Sequence, residues 1–490
     1  MLRIRQYLLL SLLAVLCGLA GAPNSLGASS HPLSFSLYDV PEIVGPQSSV
    51  TFGRVRGAGI GTITVNISWQ AATPGQEPTN PANPADPRYD WSTSDAILKS
   101  VAAGSFQPVV LVSDAPVWAR IAPALGVSPP QSAKFGLFLR AAAERYSGKY
   151  PGVPRVRFWE IWNEPNIGLF FWPQFDFETK VFTSPAVYRD MVNAAAEAIH
   201  AAHSDNLVVA GNTAPFRDIT PSVLPLDKDW GPLKFMQRLL CVDNAGRPTC
   251  NNKVAFDVWA HHPYTSGGPL HSAQLPYDVS LGDLPKMRAT LQAAVRAGHL
   301  QSAHPVKFWV TEFSWDSAPP DHCATPMGLL KRWVPESFYR MWANGIELIT
   351  WFKLMDDPMT STLFQSGLFF NAPTIGSAKP KPFVEAFRLP FVALRRGTGV
   401  YVWAHTPLGK PARVTIQQTF RGGWKKVGVL RTDRFGIVQS VLRAKPLGQF
   451  RAVLGSGEKS LAFSMRVPRD RYVSPFGMTV LTPHGNSCSS

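Results

Sequence analysis

Two short segments each bring a carboxylate to the end of an apolar, aromatic run. In Phe158-Trp159-Glu160-Ile161-Trp162-Asn163-Glu164-Pro165 and Lys307-Phe308-Trp309-Val310-Thr311-Glu312-Phe313, β-branched and aromatic residues lead up to a glutamate. Gly, Pro, Asn or Ser follow soon after, so Glu164 and Glu312 are placed where a strand gives way to a loop. Two carboxylates delivered by separate strand ends meet a definite chemical demand. Cleavage of the acetal bond between sugars needs one carboxyl that holds a proton for the departing oxygen. It needs a second that stays ionised, to attack or to activate water.

Carboxylates so placed need a frame that carries their strand ends to a common point. Apolar runs at 33–37, 62–67, 108–112, 156–161, 207–210, 256–260, 308–311 and 348–352 alternate with amphipathic stretches. Several runs lack polar alternation, as strands buried on both faces do. Ser184-Pro185 predicts a helix start, an N-cap followed by proline in the first turn, with the helix running to about His203. Gly298 and Gly345 predict helix ends. This order predicts an α/β fold, a (β/α)8 TIM barrel. An open doubly wound sheet is the alternative, but no Gly-rich phosphate loop follows any strand. After Gly397-Thr398-Gly399 the pattern changes to short runs between glycine and aspartate turns, which predicts a smaller C-terminal antiparallel β-sandwich. The expected divisions are a signal peptide over 1–22, the barrel over 29–395 and the sandwich over 396–484.

Met1-Leu2-Arg3-Ile4-Arg5, the apolar stretch to Ala20 and the small residues Ala20-Gly21-Ala22 have the form of a signal peptide. The stretch is shorter than the ~20 residues that span a bilayer, so a secreted or cell-envelope protein is expected, without stable membrane insertion. Cys241 and Cys250 flank a polar loop that a disulfide could staple in an oxidising compartment. Cys323 and Cys488 either pair or stay free. Net charge is +15, from 48 Lys and Arg against 33 Asp and Glu. No Lys/Arg run longer than two follows the N-terminal segment and no nucleic-acid motif appears. The excess therefore reads as scattered surface charge, with an anionic glycan as the alternative partner.

Trp162-Asn163-Glu164-Pro165, Thr311-Glu312-Phe313 and His262-Pro263-Tyr264 together resemble the signature of the clan A glycoside hydrolases. Within that clan the chain is most similar to family 39, the β-xylosidases and α-L-iduronidases, over about residues 45–395. Tyr89-Asp90-Trp91 through Asp114-Ala115-Pro116-Val117-Trp118-Ala119 resembles the second-to-third strand region of those enzymes. The resemblance implies a retaining hydrolase acting on a carbohydrate through a covalent glycosyl-enzyme, with no metal or organic cofactor. Glu164 would be the general acid/base and Glu312 the nucleophile. Asn163, His262, Tyr264 and Trp351 would contact substrate, with Trp118 and Trp315 as looser candidates. It also implies an arginine on the second strand, where this chain has Thr64. Glu160, further inside its strand, reads as a buried structural partner, and His261 as pointing away from His262. In the sandwich, Trp403 and Trp424 are either core or sugar platforms. The alternatives are a transglycosylase using the same two glutamates, and a catalytically impaired carbohydrate-binding or cell-envelope protein.

Overall fold

In a computed structural model, the described residues are 30–469 and the paired segments 479–482 and 485–488, apart from 39, 124–126, 177, 179–180, 217–230 and 360–363. The expected signal peptide and part of the expected sandwich lie outside them. Eight parallel strands close into a barrel: β1 Ser34–Tyr38, β2 Thr62–Ser68, β3 Gln107–Ser113, β4 Phe158–Ile161, β5 Leu207–Thr213, β6 Val258–His261, β7 Lys307–Phe313 and β8 Ile346–Phe352. Each pairs with the next in sequence, and β8 returns to β1 with Leu37 beside Trp351. The expected barrel is therefore present, and each of the eight apolar runs overlaps a barrel strand. The cause is burial on both faces: β5 and β6 are buried at every position.

One principal helix fills each crossover: α1 Ser48–Gly57, α2 Ser92–Ala103, α3 Ser132–Arg145, α4 Ser184–Ala202, α5 Pro232–Leu240, α6 Leu284–Arg296 and α7 Met327–Ala343. Gly298 and Gly345 lie just past α6 and α7 with left-handed φ of 71° and 84°, and their N–H groups donate to Val295 and Trp342 carbonyls. The start of α4 differs from expectation. Thr183 occupies the cap position, and the Ser184 hydroxyl donates instead to Gln174 Oε1 at 2.6 Å.

The two larger sheets that follow the barrel are antiparallel: β9 Phe391–Arg396, β10 Gly399–His405, β11 Arg413–Phe420, β12 Gly423–Arg431, β13 Ile437–Leu442, β14 Gln449–Leu454 and β15 Phe463–Ser464. One sheet has the order β9-β10-β13 and the other β12-β11-β14-β15. The first sheet begins ahead of the expected boundary at residue 396. Arg396 pairs directly with Gly399, so Gly397-Thr398 is a two-residue hairpin turn joining β9 to β10, not a break between units. The Cys241–Cys250 disulfide is formed. Cys323 is disulfide-bonded as well, while the Cys488 side chain lies outside those described.

The sandwich docks on α7 through aromatic packing. Trp403 is fully buried, with its ring 5.7 Å from those of both Tyr339 and Trp342. Trp342 in turn donates its indole N–H to the His31 carbonyl. Trp403 is therefore core, not a sugar platform. Its replacement by alanine leaves a cavity in this seam and is expected to lower unfolding free energy by about 3–5 kcal/mol. Urea titration checks this, and a loss under about 1 kcal/mol would contradict the placement.

Candidate active site

The β4 ladder ends at Ile161, and the chain then turns through two left-handed residues. Trp162 has φ 64° and Glu164 φ 41°, a region that bulky side chains seldom occupy. Hydrogen bonds hold the turn: Trp162 N–H to the Val112 carbonyl at 3.1 Å, Trp162 Nε1 to the Phe170 carbonyl at 2.9 Å, and Glu164 N–H to the Asn212 carbonyl at 3.0 Å.

Asn212 sits in a bulge at the end of β5. Ala210 pairs with Trp259 and Thr213 with His261, so β5 spends one residue more than β6 over that interval. Gly211 makes the bulge feasible, since a Cβ there would meet the Ala260 carbonyl oxygen at 2.5 Å. The bulge aims Asn212 between strands. Its Nδ2 donates to the Trp162 carbonyl at 2.9 Å, and its Oδ1 accepts from Thr311 Oγ1 at 3.1 Å. One fully buried amide thus ties the chain before Glu164 to the residue before Glu312. Sequence reading missed Asn212; the Gly-Asn pair closing an apolar run was the available signal.

Glu164, His262 and Glu312 converge, with one donor atom from each lying within 4.8 Å of the others. His262 Nδ1 is 2.9 Å from Glu164 Oε1, and Tyr264 Oη donates to Glu312 Oε1 at 2.6 Å. This carboxylate spacing suits a retaining pair, for which ~5–5.5 Å is usual. Burial pushes the Glu164 carboxyl up to about 8 and pulls the His262 imidazole down, against a smaller opposing pull from Glu312. At neutral pH the contact therefore joins a carboxylic acid to a neutral imidazole. Burial, then the Glu312 charge, holds the Tyr264 phenol well above its ordinary range, so it remains a donor to Glu312. The two glutamates thus have unlike surroundings, one enclosed and proton-holding, the other facing a donor placed for a carboxylate. Each of the three side chains offers one ligand atom within 4.8 Å of the others, a spacing that could also bridge a cation.

Glu160 lies deeper in the barrel. It is buried, hydrogen-bonded to Thr311, and pushed up to about 8 by burial, while its Oε2 has no partner. His261 is held between Thr213 Oγ1 and the Val279 carbonyl, each at 2.8 Å, and burial keeps it neutral down to about 3. Both act within the core, as expected.

Two expected substrate contacts are not brought to the site. Trp351 is fully buried, donates its indole N–H to the Ser366 carbonyl at 2.7 Å, and packs on Phe383 and Phe387. The segment carrying Ser366 is pinned over it by the buried Lys381–Asp356 pair at 2.6 Å, with Lys381 also donating to the Gln365 carbonyl. Trp315 is likewise buried, with its N–H on the Gly267 carbonyl and its ring against Phe313 and Trp333. Both rings are fully buried and expose no face. Trp118 and Asn163 do line open space. They border a cavity of about 790 Å³ over the ends of β1–β4, shared with Tyr38, Asn66, Gln70 and Asp114. Thr64 stands on β2 with its hydroxyl 3.1 Å from that of Ser36, so the second strand supplies no cation at this position.

No protein-family model and no curated protein matches the chain. Solved structures do. A family 39 glycoside hydrolase from the gut symbiont Bacteroides cellulosilyticus WH2 superposes with a TM-score of 0.52 at 15% identity, over 84% of this chain and 81% of that one. The GH39 enzyme from Xanthomonas axonopodis pv. citri gives 0.47 at 16% identity, covering 84% and 92%. A monomeric β-xylosidase from Caulobacter crescentus CB15 gives 0.48 at 17%, covering 85% and 95%. At 15% identity the first of these superpositions shows a likeness of architecture: the fold resembles that of a family 39 glycoside hydrolase.

The two buried acids make stability depend on pH. Both are raised from 4.5 to about 8 in the fold, and unfolding returns them to the ordinary range. Between those values the unfolded chain releases protons that the fold retains. Their contribution is complete below about pH 4.5 and is lost as pH rises through 8. Glu160→Gln keeps the shape and removes one ionisation, so the urea midpoint should fall less steeply from pH 5 to pH 8 than in the parent. An unchanged slope would overturn the burial argument.

Proposed function

We propose that the protein is an exported, retaining glycoside hydrolase working through a covalent intermediate on Glu312. The observation carrying this reading is the close approach of two carboxyl groups in opposite environments, Glu164 on a neutral His262 and Glu312 on the Tyr264 hydroxyl. With a glycoside bound, the Glu312 oxygen not held by Tyr264 attacks the anomeric carbon. The bond to the departing oxygen breaks as Glu164 transfers its proton there. The resulting Glu164 carboxylate then takes a proton from water, whose oxygen displaces Glu312 and regenerates both groups. Asn163, which lines the cavity and precedes Glu164 in sequence, would bind a sugar hydroxyl. Trp118 offers a partly exposed ring to the same space. The Cys241–Cys250 disulfide supports an oxidising location.

A second reading follows from Thr64. Without a second-strand cation, the barrel would bind glycan but turn over poorly. Mass spectrometry of products from a broad polysaccharide panel decides between them, with Glu312→Gln as paired control. Products from the parent alone support the hydrolase; retained glycan affinity without product supports the binder. Glu312→Gln should cut turnover by at least ~10³-fold. Glu164→Ala should slow substrates with poor leaving groups far more than activated aryl glycosides, and equal losses on both would remove its role as acid. The rate should decline as pH rises through about 8, where Glu164 loses its proton. Asn212→Ala, which frees both strand ends, should lower kcat by ~10–100-fold with KM nearly unchanged.

A further inference from the structure

The chain's charge is divided unevenly. Residues 23–390 contain 30 Lys and Arg and 30 Asp and Glu, whereas residues 391–469 contain 15 Lys and Arg against only Asp433 and Glu458. Nearly all of the +15 excess therefore belongs to the two small sheets. Their two carboxylates do little to offset it. Glu458 pairs with Arg388, outside the sheets, and Asp433 accepts the N–H groups of Phe435 and Ile437. What composition alone presents as scattered charge is concentrated on one part of the molecule.

The sheet containing β11, β12 and β14 arranges part of this charge in rows. Along β11, Val414, Ile416 and Gln418 turn inward and are buried, while Arg413, Thr415, Gln417 and Thr419 turn outward. Across the ladders Arg413 faces Arg431, Gln417 faces Lys426 on one side and Arg451 on the other, and Thr419 faces Trp424. Arg451 donates to Gln417 Oε1 at 2.8 Å, and its guanidinium lies 4.1 Å over the Trp424 ring. Arg413, Lys426 and Arg431 are exposed, and Trp424 and Arg451 are partly so. One sheet face thus presents four cations, amide and hydroxyl groups, an indole and the exposed Val429 opposite Thr415.

We propose that this face docks an acidic polysaccharide, a glycan bearing carboxylate or sulfate groups. The sign of the field selects a polyanion. The polar Thr and Gln side chains and the partly exposed Trp424 suit hydroxyl-bearing rings, and Val429 is a single exposed aliphatic among them rather than a cluster of the sort that enters a lipid surface. The argument for this face is independent of whether the barrel is catalytic.

The test uses the full chain with Glu312→Gln, so that binding is read apart from turnover. Affinity is measured for polygalacturonate, heparin, neutral xylan, vesicles of anionic phospholipid and duplex DNA. At least one acidic glycan should bind, weakening by ~10-fold or more between about 50 and 200 mM salt. Changing Arg413, Lys426 and Arg431 together to Gln should weaken that binding ~10-fold or more at low salt without moving the unfolding midpoint. Trp424→Ala should weaken what remains at high salt. Equal binding by the triple variant and its parent overturns the proposal. So does tighter binding to vesicles or DNA than to either acidic glycan, or no binding to both glycans at low salt. The same three changes in the chain with Glu312 intact should leave hydrolysis of a small aryl glycoside unaltered, which separates failure of this surface from failure of the catalytic reading.

Discussion

Asn212 can stand between β4 and β7 only because β5 breaks its ladder at Gly211, and the positions of both carboxylates depend on that break. An unbroken β5 would turn residue 212 in register with β6, as its neighbours are. The extra residue re-aims the amide, which then finds a donor in Thr311 and an acceptor in the Trp162 carbonyl. Its backbone carbonyl also receives the Glu164 N–H. A buried amide satisfied on both sides resists rotation, because each partner left unpaired costs about 1–3 kcal/mol. The spacing of the two glutamates is in this sense a property of β5, a strand that carries neither.

Around this clasp, enclosure sets the protonation states. Glu164, Glu160, His262 and Tyr264 are all shifted chiefly by burial, in the direction that disfavours charge. The Tyr264 phenol can then serve Glu312 as a donor while burial disfavours charge on the groups around that carboxyl. The buried Lys381–Asp356 pair contributes at a distance, by holding the Gln365 carbonyl next to the Ser366 carbonyl that accepts the Trp351 indole.

The barrel strands were legible because parallel strands covered on both faces appear as continuous apolar runs, and Glu164 and Glu312 because turn-forming residues follow them closely. His262 and Tyr264 were expected from the resemblance of a local motif, and each contacts one of the two glutamates. Asn212 was not, since its contacts join residues 50 and 99 positions apart. The fate of Trp351 was also hidden, for a tryptophan at a strand end looks the same whether a later loop covers it or leaves it open. Gly397-Thr398-Gly399 misled for another reason: a hairpin turn and a linker use the same residues. The total charge was plain in the composition, yet its concentration emerged only once the sheets at 391–469 were delimited.

The left-handed residues at the mouth bear on how such a protein can change over generations. Asp114, Trp162, Glu164 and Asn212, with φ of 59°, 64°, 41° and 46°, cluster at the ends of three adjacent strands. Each non-glycine residue there forgoes roughly 1–2 kcal/mol relative to a relaxed backbone. The mouth is therefore the region where random substitution most readily finds a hardier protein, and where that gain most readily extinguishes the chemistry. At Asp114 and Glu164, where neither a buried amide nor an indole would be lost, selection for heat tolerance alone would drift toward glycine, so persistence of these two carboxyl side chains would itself report that function was being maintained.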